Sequence, residues 1–307
     1  MTGESKNLPS HATTLTTYAE LKQYAQAFAA GHLQNVAVLG APGLAKSTVV
    51  AAELGSKTCW ISGNASAFGI YIQAYEHRDQ PIVLDDVDGL HKNPAGIRLL
   101  KSLCQTDPIR TLSWTTRAPE LDRQGVPRQF NTTSPVVLIA NDWTSVGPNL
   151  AAVEDRMHVI SFEPAPGEIH LHAAAWYWDQ EIFDFIGRHL VAMERHSLRL
   201  YVRAFELKTA QMDWKHAVLS SCFTGPALAV AQLKADPSFA SEEDRVRAFA
   251  AQGFGCRATY FNHARRIPAT SEVPAITLAQ TARPEPVAEP LSLTDLLRRR
   301  HKNLGEG

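Results

Sequence analysis

The stretch Gly40-Ala41-Pro42-Gly43-Leu44-Ala45-Lys46-Ser47 narrows the folding options of this chain more than any other. An apolar run, Val36 to Leu39, comes just before it, and a run that can be helical, Thr48 to Leu54, comes just after. Strand, glycine-bearing loop, Lys-Ser and helix is the layout of a phosphate-binding loop. The backbone N–H groups of such a loop and of a helix N-terminus point inward and bind an anion. In that layout Gly40 to Ala45 form the cradle and Lys46 reaches the β- and γ-phosphates as a point charge. The Ser47 hydroxyl ligates Mg²⁺, and Thr48 completes the nucleotide-binding set.

One letter departs from the pattern G-x-x-x-x-G-K-[ST], because Ala45 stands where the last glycine usually stands. Alanine adds only a methyl group, and the position is expected to open the helix, where alanine is at ease. The form Pro-Gly-x-Ala-Lys-Ser resembles the loops of the MoxR-type and minichromosome-maintenance ATPases, which work with that alanine. A competent loop is therefore expected; a chance Gly/Pro turn before a helix is the alternative.

At 307 residues, 45% hydrophobic and 20% charged, the chain suits a soluble globular protein of one large or two modest domains. The formal net charge of −1 names no partner, so nucleic-acid binding has to come from a local patch. Cys59, Cys104, Cys222 and Cys256 lie far apart, without a C-x-x-C pair. That argues against a zinc site or a disulfide framework and for reduced thiols in a cytoplasm. No apolar run is long enough to span a bilayer, so no membrane partner is expected. Met1 to Ser10 is polar and lacks the apolar stretch of a signal peptide. His170 and His172 have no acidic or cysteine partner for a ligand set and read as surface or lid residues.

Residues 1–13 look unstructured. Thr17-x-x-Glu20 reads as a capping box, with Tyr18, Leu21, Ala25 and Phe28 at helical spacing behind it until Gly31. Strand 36–39, the loop and helix 46–54 follow, then a strand at Thr58 to Ile61 and a helix at Ala67 to Tyr75. Pro81-Ile82-Val83-Leu84-Asp85-Asp86 reads as a buried parallel strand, because both faces are apolar. Its two carboxylates then sit at the C-terminal edge of the sheet, where ligand sites of open α/β sheets lie. Asp85 would hold Mg²⁺, directly or through water, and Asp86 would orient or deprotonate the attacking water. After helix 94–104, the segment Thr111 to Thr133 reads as an inserted β-hairpin bearing Arg117, Arg123 and Arg128, either functional or a plain exposed hairpin. Pro135 to Asp142 is another buried strand with a polar tip, and Val159 to Phe162 is the last. Strands alternating with helices imply a parallel sheet covered on both faces.

This order of parts resembles AAA+ ATPases over roughly residues 14–165: a phosphate loop, an Asp-Asp strand, a strand ending in Asn141, and Arg156 just before the last strand. The family usually carries Asp-Glu where this chain has Asp85-Asp86; Asp-Asp occurs in its replication-initiator and helicase-loader branch. The resemblance implies a three-layer α/β P-loop core that binds and hydrolyses ATP with Mg²⁺. It makes Asn141 the sensor of the γ-phosphate and attacking water. It also makes Arg156 the arginine finger that reaches a neighbouring subunit, hence a homo-oligomer, either a ring or a filament. A helical lid, 166–235, would follow, with Arg199 as its sensor arginine and Arg203 second.

Further on, Ser241-Glu242-Glu243-Asp244 caps a helix, Gly253-Phe254-Gly255 makes a turn, and Cys256 to Ile267 makes a second helix. Residues 236–267 resemble the recognition half of a helix-turn-helix, with Arg257, Arg265 and Arg266 on phosphates and Thr259 and Tyr260 facing a DNA groove. A helical hairpin closing the lid is the alternative. Residues 268–307 form a tail: 268–290 read as a flexible linker, and 291–302 either stay solvated or fold on a protein partner or nucleic acid. Three functions compete: ATP-driven work on DNA, a MoxR-like protein-remodelling chaperone, and a metabolic kinase. Asn141 and Arg156 count against the third.

Overall fold

The structure is a computed structural model that describes residues 8–87, 90, 93–141, 151–190, 193 and 196–267. The expected linker and tail, 268–307, and Asp142 lie outside the described residues. The described residues fall into two compact units: one runs to Ile169 and takes back a strip ending at Arg199, and the other holds the remaining helices.

The first unit is an α/β layer structure. In chain order it contains β1 (Thr13–Leu15), α1 (Tyr18–Ala29), β2 (Asn35–Leu39), α2 (Lys46–Leu54), β3 (Cys59–Ser62), α3 (Ala67–Glu76) and β4 (Ile82–Asp85). Then come α4 (Pro94–Leu103), β5 (Arg110–Ser113), α5 (Pro119–Gln124), β6 (Gln129–Thr132), β7 (Val136–Ala140), α6 (Ala151–Glu154) and β8 (His158–Phe162). Six strands form one sheet in the order β1-β8-β2-β7-β4-β3, every pair parallel. All five residues of β2 and of β7 are buried, which is why these strands read as unbroken apolar runs. Ala37, Leu39, Ile82, Leu84, Leu138 and Val159 share one core with α3, α4 and the base of the β5–β6 hairpin. Alternation sends Val36, Val38, Val83, Val137 and Ile160 to the opposite face. There α1 begins, with Tyr18 edge-on to Phe162 at 5.1 Å.

Local chemistry explains the ends of these elements. Thr17 and Glu20 form a reciprocal capping box on α1, and Tyr18, Leu21, Ala25 and Phe28 are its buried stripe. β1 adds to the edge of the sheet against β8, although the sequence before residue 14 shows no strand pattern. The insertion is an antiparallel hairpin, β5 with β6, that carries the short helix α5 at its turn. It is seated on α3 from its turn side, through Trp114 against Phe68 and Tyr71, and Phe130 against Tyr71 and Tyr75. The Tyr71 hydroxyl donates to the Pro127 carbonyl at 2.9 Å.

The second unit is helical. It begins within α7 (Pro166–Ala174) and continues through α8 (Gln180–His189), α9 (Arg199–Thr209), α10 (Trp214–Cys222), α11 (Gly225–Ala235), α12 (Glu242–Ala251) and α13 (Arg257–Ala264). Ile182, Phe183, Phe185 and Ile186 of α8 are its buried stripe. His170, expected at the surface, is buried instead: it stacks on Phe183 at 3.8 Å, and its Nδ1 is 2.7 Å from the Tyr201 hydroxyl. Gly187 makes room for it, since a Cβ there would meet His170 Nε2 at 2.8 Å. Burial pulls this imidazole down to about 4, so it is a neutral core group. α11 packs against both α12 and α13, so the boundary expected at 235/236 passes between a helix and its partners.

Candidate functional site

The parallel register fixes where the polar ends of the strands meet. Leu39 pairs with Ala140 and Asp85 with Ile139, so the phosphate loop, Asn141 and the Asp85-Asp86 pair leave the sheet at one edge. Because β7 lies between β2 and β4, Asn141 is placed between the loop and the carboxylates.

Ser47 Oγ donates to Asp85 Oδ1 at 2.9 Å. Lys46 is buried, and its ammonium donates to the carbonyls of Gly40 at 2.6 Å and Ala41 at 3.1 Å and, more weakly, to Asn141 Oδ1 at 3.4 Å. Burial pulls the Lys46 ammonium below the usual lysine range, and the Asp86 and Asp85 carboxylates oppose that. Ala45, the cap of α2, makes no side-chain bond to the first N–H groups of the helix, and such N–H groups can bind an anion. Leu44 is buried, whereas Ala41, Pro42 and Thr48 are exposed. The glycines hold the loop in place. A Cβ on Gly40 would strike the Phe162 carbonyl oxygen at 2.6 Å, and one on Gly43 would meet Ser197 Cβ at 3.0 Å.

Ala45 is not the first helical residue expected from the sequence. It precedes α2 in the left-handed region, at φ 57° and ψ 24°, and the helix begins at Lys46. The loop needs a left-handed turn there, which is why glycine is usual; alanine bears a strain of roughly 1 kcal/mol. Asp86 is likewise left-handed, at φ 50°, with its N–H donating to the Ile139 carbonyl at 3.0 Å and its side chain exposed.

The strip 196–199 returns to the loop. The Leu198 N–H donates to the Gly43 carbonyl at 2.9 Å, and Arg199 Cγ would lie 3.4 Å from a Cβ on Gly43. The Arg199 charge also bears on the Lys46 ammonium. Arg203 sits exposed on α9 in the other unit. Arg156 lies just before β8, whose first residues pair with the start of β2, so it is at the opposite edge of the sheet from the phosphate loop.

Ser47 and Asp85 fit Mg²⁺: a hydroxyl and a carboxylate are hard oxygen donors, already facing one another. Among the described residues no group of three or more His, Cys, Asp or Glu is arranged to hold a metal alone. A site of two side chains suits an ion that keeps waters and shares a substrate phosphate.

The helix-turn-helix expectation is corrected at two residues. Tyr260 is fully buried, edge-on to Phe249 at 5.5 Å, with its hydroxyl donating to Glu242 at 2.9 Å, and it cannot face a groove. Thr259 folds back on the turn, its Oγ1 3.0 Å from where a Gly255 Cβ would be. Tyr260 and Ala264 form the inward stripe of a helix that has to pack on α11 and α12, and Thr259 beside them is partly exposed. Arg257 pairs with Glu243 and lies over the Phe261 ring, so its charge is countered. Arg265 and Arg266 are exposed. In the hairpin, Arg123 pairs with Glu120 and Arg128 with Asp122, and Arg117 is exposed.

Two residues of the first unit escaped the sequence reading. Arg110 and Asn35 are buried polar groups at the N-terminal edge of the sheet. Nothing local signals them; only an arginine opening an alternating strand hints that its side chain needs partners.

Comparison with known proteins gives limited guidance. No family model matches the sequence. An uncharacterized 36.7 kDa protein from the nrdC-mobD intergenic region of enterobacteria phage T4 is 26% identical over 143 residues. The match covers 41% of this chain and 44% of that relative. Among solved structures, a RuvB mutant of Thermotoga maritima aligns with 81% of this chain and 89% of its own, at 16% identity and a TM-score of 0.42. Cdc6p of Pyrobaculum aerophilum aligns with 85% of this chain and 87% of its own, at 12% identity and a TM-score of 0.49. Among the described residues no helix is long and apolar enough to cross a membrane.

Proposed function

We propose that this chain is a cytoplasmic AAA+ protein that binds and hydrolyses ATP as an oligomer and couples hydrolysis to work on DNA. One observation carries the nucleotide reading: Lys46, Ser47, Asp85 and Asn141 converge at a single strand edge, joined through Ser47–Asp85 at 2.9 Å and Lys46–Asn141 at 3.4 Å. A chance Gly/Pro turn has no reason to meet a carboxylate and an amide from two other strands.

The roles follow from that geometry. Lys46 and the first N–H groups of α2 bind the phosphates, and Lys46 exchanges its two loop carbonyls for phosphate oxygens. Ser47 and Asp85 hold Mg²⁺, which when bound neutralises charge that develops on the phosphates. Asp86, exposed on its left-handed turn, accepts the proton of the attacking water or orients it, and Asn141 steadies that water. Arg199 adds positive charge beside the loop. Arg156, the finger that the family resemblance implies, is at the far edge of its own sheet, which fits service in the site of a neighbour, and an oligomer is proposed on that ground.

The DNA part draws on the exposed Arg117, Arg265 and Arg266, for which no ion pair is seen among the described residues. Exposed arginines of this kind, Arg117 on one unit and Arg265 and Arg266 on the other, act on phosphates without sequence preference. The deciding experiment is the ATPase rate with and without single- and double-stranded DNA, with subunit mass measured alongside. Stimulation by DNA in an oligomer is expected. Hydrolysis that ignores DNA would move the reading to a MoxR-like protein-remodelling chaperone, and a phosphorylated small molecule among the products would make it a kinase.

A further inference from the structure

The most polar interior region of the first unit is far from the phosphate loop. Arg110, at the start of β5, is 1% exposed, and Asn35, at the start of β2, is 3% exposed. Arg110 donates to the Leu103 carbonyl at 3.0 Å, the Ser134 carbonyl at 2.7 Å and Asn35 Oδ1 at 3.4 Å. Asn35 Nδ2 donates in turn to the Cys104 carbonyl at 3.0 Å and the Arg156 carbonyl at 3.3 Å. No carboxylate takes part in these bonds.

The choice of residues is informative. Leu103 and Cys104 end α4, and their carbonyls are among those that a helix leaves unpaired. A buried cation at a helix C-terminus is held by that negative end and by oxygen acceptors, without a counter-ion. Only a planar fork of donors spans three acceptors, and only an amide both accepts from it and donates onward. The chain of bonds therefore runs from the hairpin base through the end of α4 and the start of β2 to the backbone of Arg156. The hairpin itself is wedged on α3 by the aromatic cluster around Tyr71, so it is a firm anchor.

We propose that Asn35 and Arg110 are positioning residues for Arg156: a buried strut that fixes the backbone from which Arg156 projects and ties it to the β5–β6 hairpin. A strand or partner that pulls on the hairpin thereby shifts Arg156, and with it hydrolysis at the adjoining subunit. This rests on the reading of Arg156 as a finger that acts in a neighbour's site.

The experiment uses the full chain with Asn35→Leu, Asn35→Ser, Arg110→Lys and, as reference, Arg156→Ala. ATP affinity, hydrolysis and subunit mass are measured for each, alone and in co-assembled mixtures with Asp86→Asn. The serine variant keeps a polar group while losing reach, and it serves if the leucine variant does not fold. The Asn35 variants and Arg110→Lys are expected to bind ATP within about two-fold of the parent and to hydrolyse it roughly ten- to hundred-fold more slowly, the scale of a misplaced catalytic group. Mixing with Asp86→Asn is expected to restore part of the rate, because the two defects then fall at different interfaces. Parental rates in folded Asn35 variants, beside an inactive Arg156→Ala, overturn the proposal. So does a loss that no mixture rescues when Arg156→Ala is rescued. If Arg156→Ala itself hydrolyses ATP at the parental rate, the finger reading fails and takes the strut with it.

Discussion

The two edges of the six-stranded sheet are built on opposite terms. At the C-terminal edge, of the groups that would meet nucleotide, Asp86 and Asn141 are exposed, Ser47 and Asp85 are half-buried, and Lys46 is buried. Of three non-glycine residues with positive φ among the described residues, two, Ala45 and Asp86, are there. At the N-terminal edge gather four of the eight buried polar residues among those described: Asn35, Arg110, Thr132 and Ser134. They are tied to carbonyls of α4, of the turn after α3 and of Ser134 itself. One edge holds two left-handed turns and partly exposed side chains, and the other is a buried hydrogen-bonded cluster in which Arg110 Nε has no partner among the described residues. Under the proposed nucleotide-binding role, such a sheet gains by being fixed at the other end, because strained backbone persists only where its surroundings over-determine it.

Substitutions break this contrast in order of size. Lys46→Ala is expected to abolish ATP binding with the fold intact, since among the described residues Lys46 bonds loop carbonyls and Asn141. A calorimetric titration that finds parental affinity in a folded variant would overturn it. Asp86→Asn is expected to retain Mg·ATP and slow hydrolysis by two or more orders of magnitude, roughly the contribution of a general base. A parental rate would remove Asp86 from the chemistry. On the buried edge, Arg110→Met should lower unfolding free energy by about 2 kcal/mol, because it strands the Leu103 and Ser134 carbonyls. Chemical denaturation reads this directly, and an unchanged midpoint would mean that the edge is looser than described. The smallest effect is at Ala45→Gly, which relieves the left-handed turn and should stabilise by about 0.5 to 1 kcal/mol with ATP affinity unchanged. A loss of stability there would show that Ala45 is not strained.

What the sequence revealed divides along the same line. Strands β2, β4 and β7 were readable because burial on both faces leaves an unbroken apolar run, and their polar ends follow in the letters at once. α1 was readable from a capping box and a clear stripe. The strut was not, because Asn35, Arg110 and Arg156 meet only through the register of strands distant in sequence. β1 was hidden because three residues at a sheet edge carry too little pattern. Ala45 misled because its letter is a good helix former while its backbone is not helical. Tyr260 misled because, in a helix of eight residues, a phase shift of one or two residues, about 100° each, decides between core and groove.

The pairing of β2 has a consequence for how the chain is made. Val36 pairs with Val137 on one side and His158 on the other, so the strand that carries the phosphate loop is synthesised early but gains its neighbours more than a hundred residues later. Loop closures of that span are slow steps, and until they occur the apolar β2 has no partner to hide it. ATP should thus act as a late-stage ligand: nascent chains arrested before β8 are not expected to retain it, and those that extend past Phe162 are.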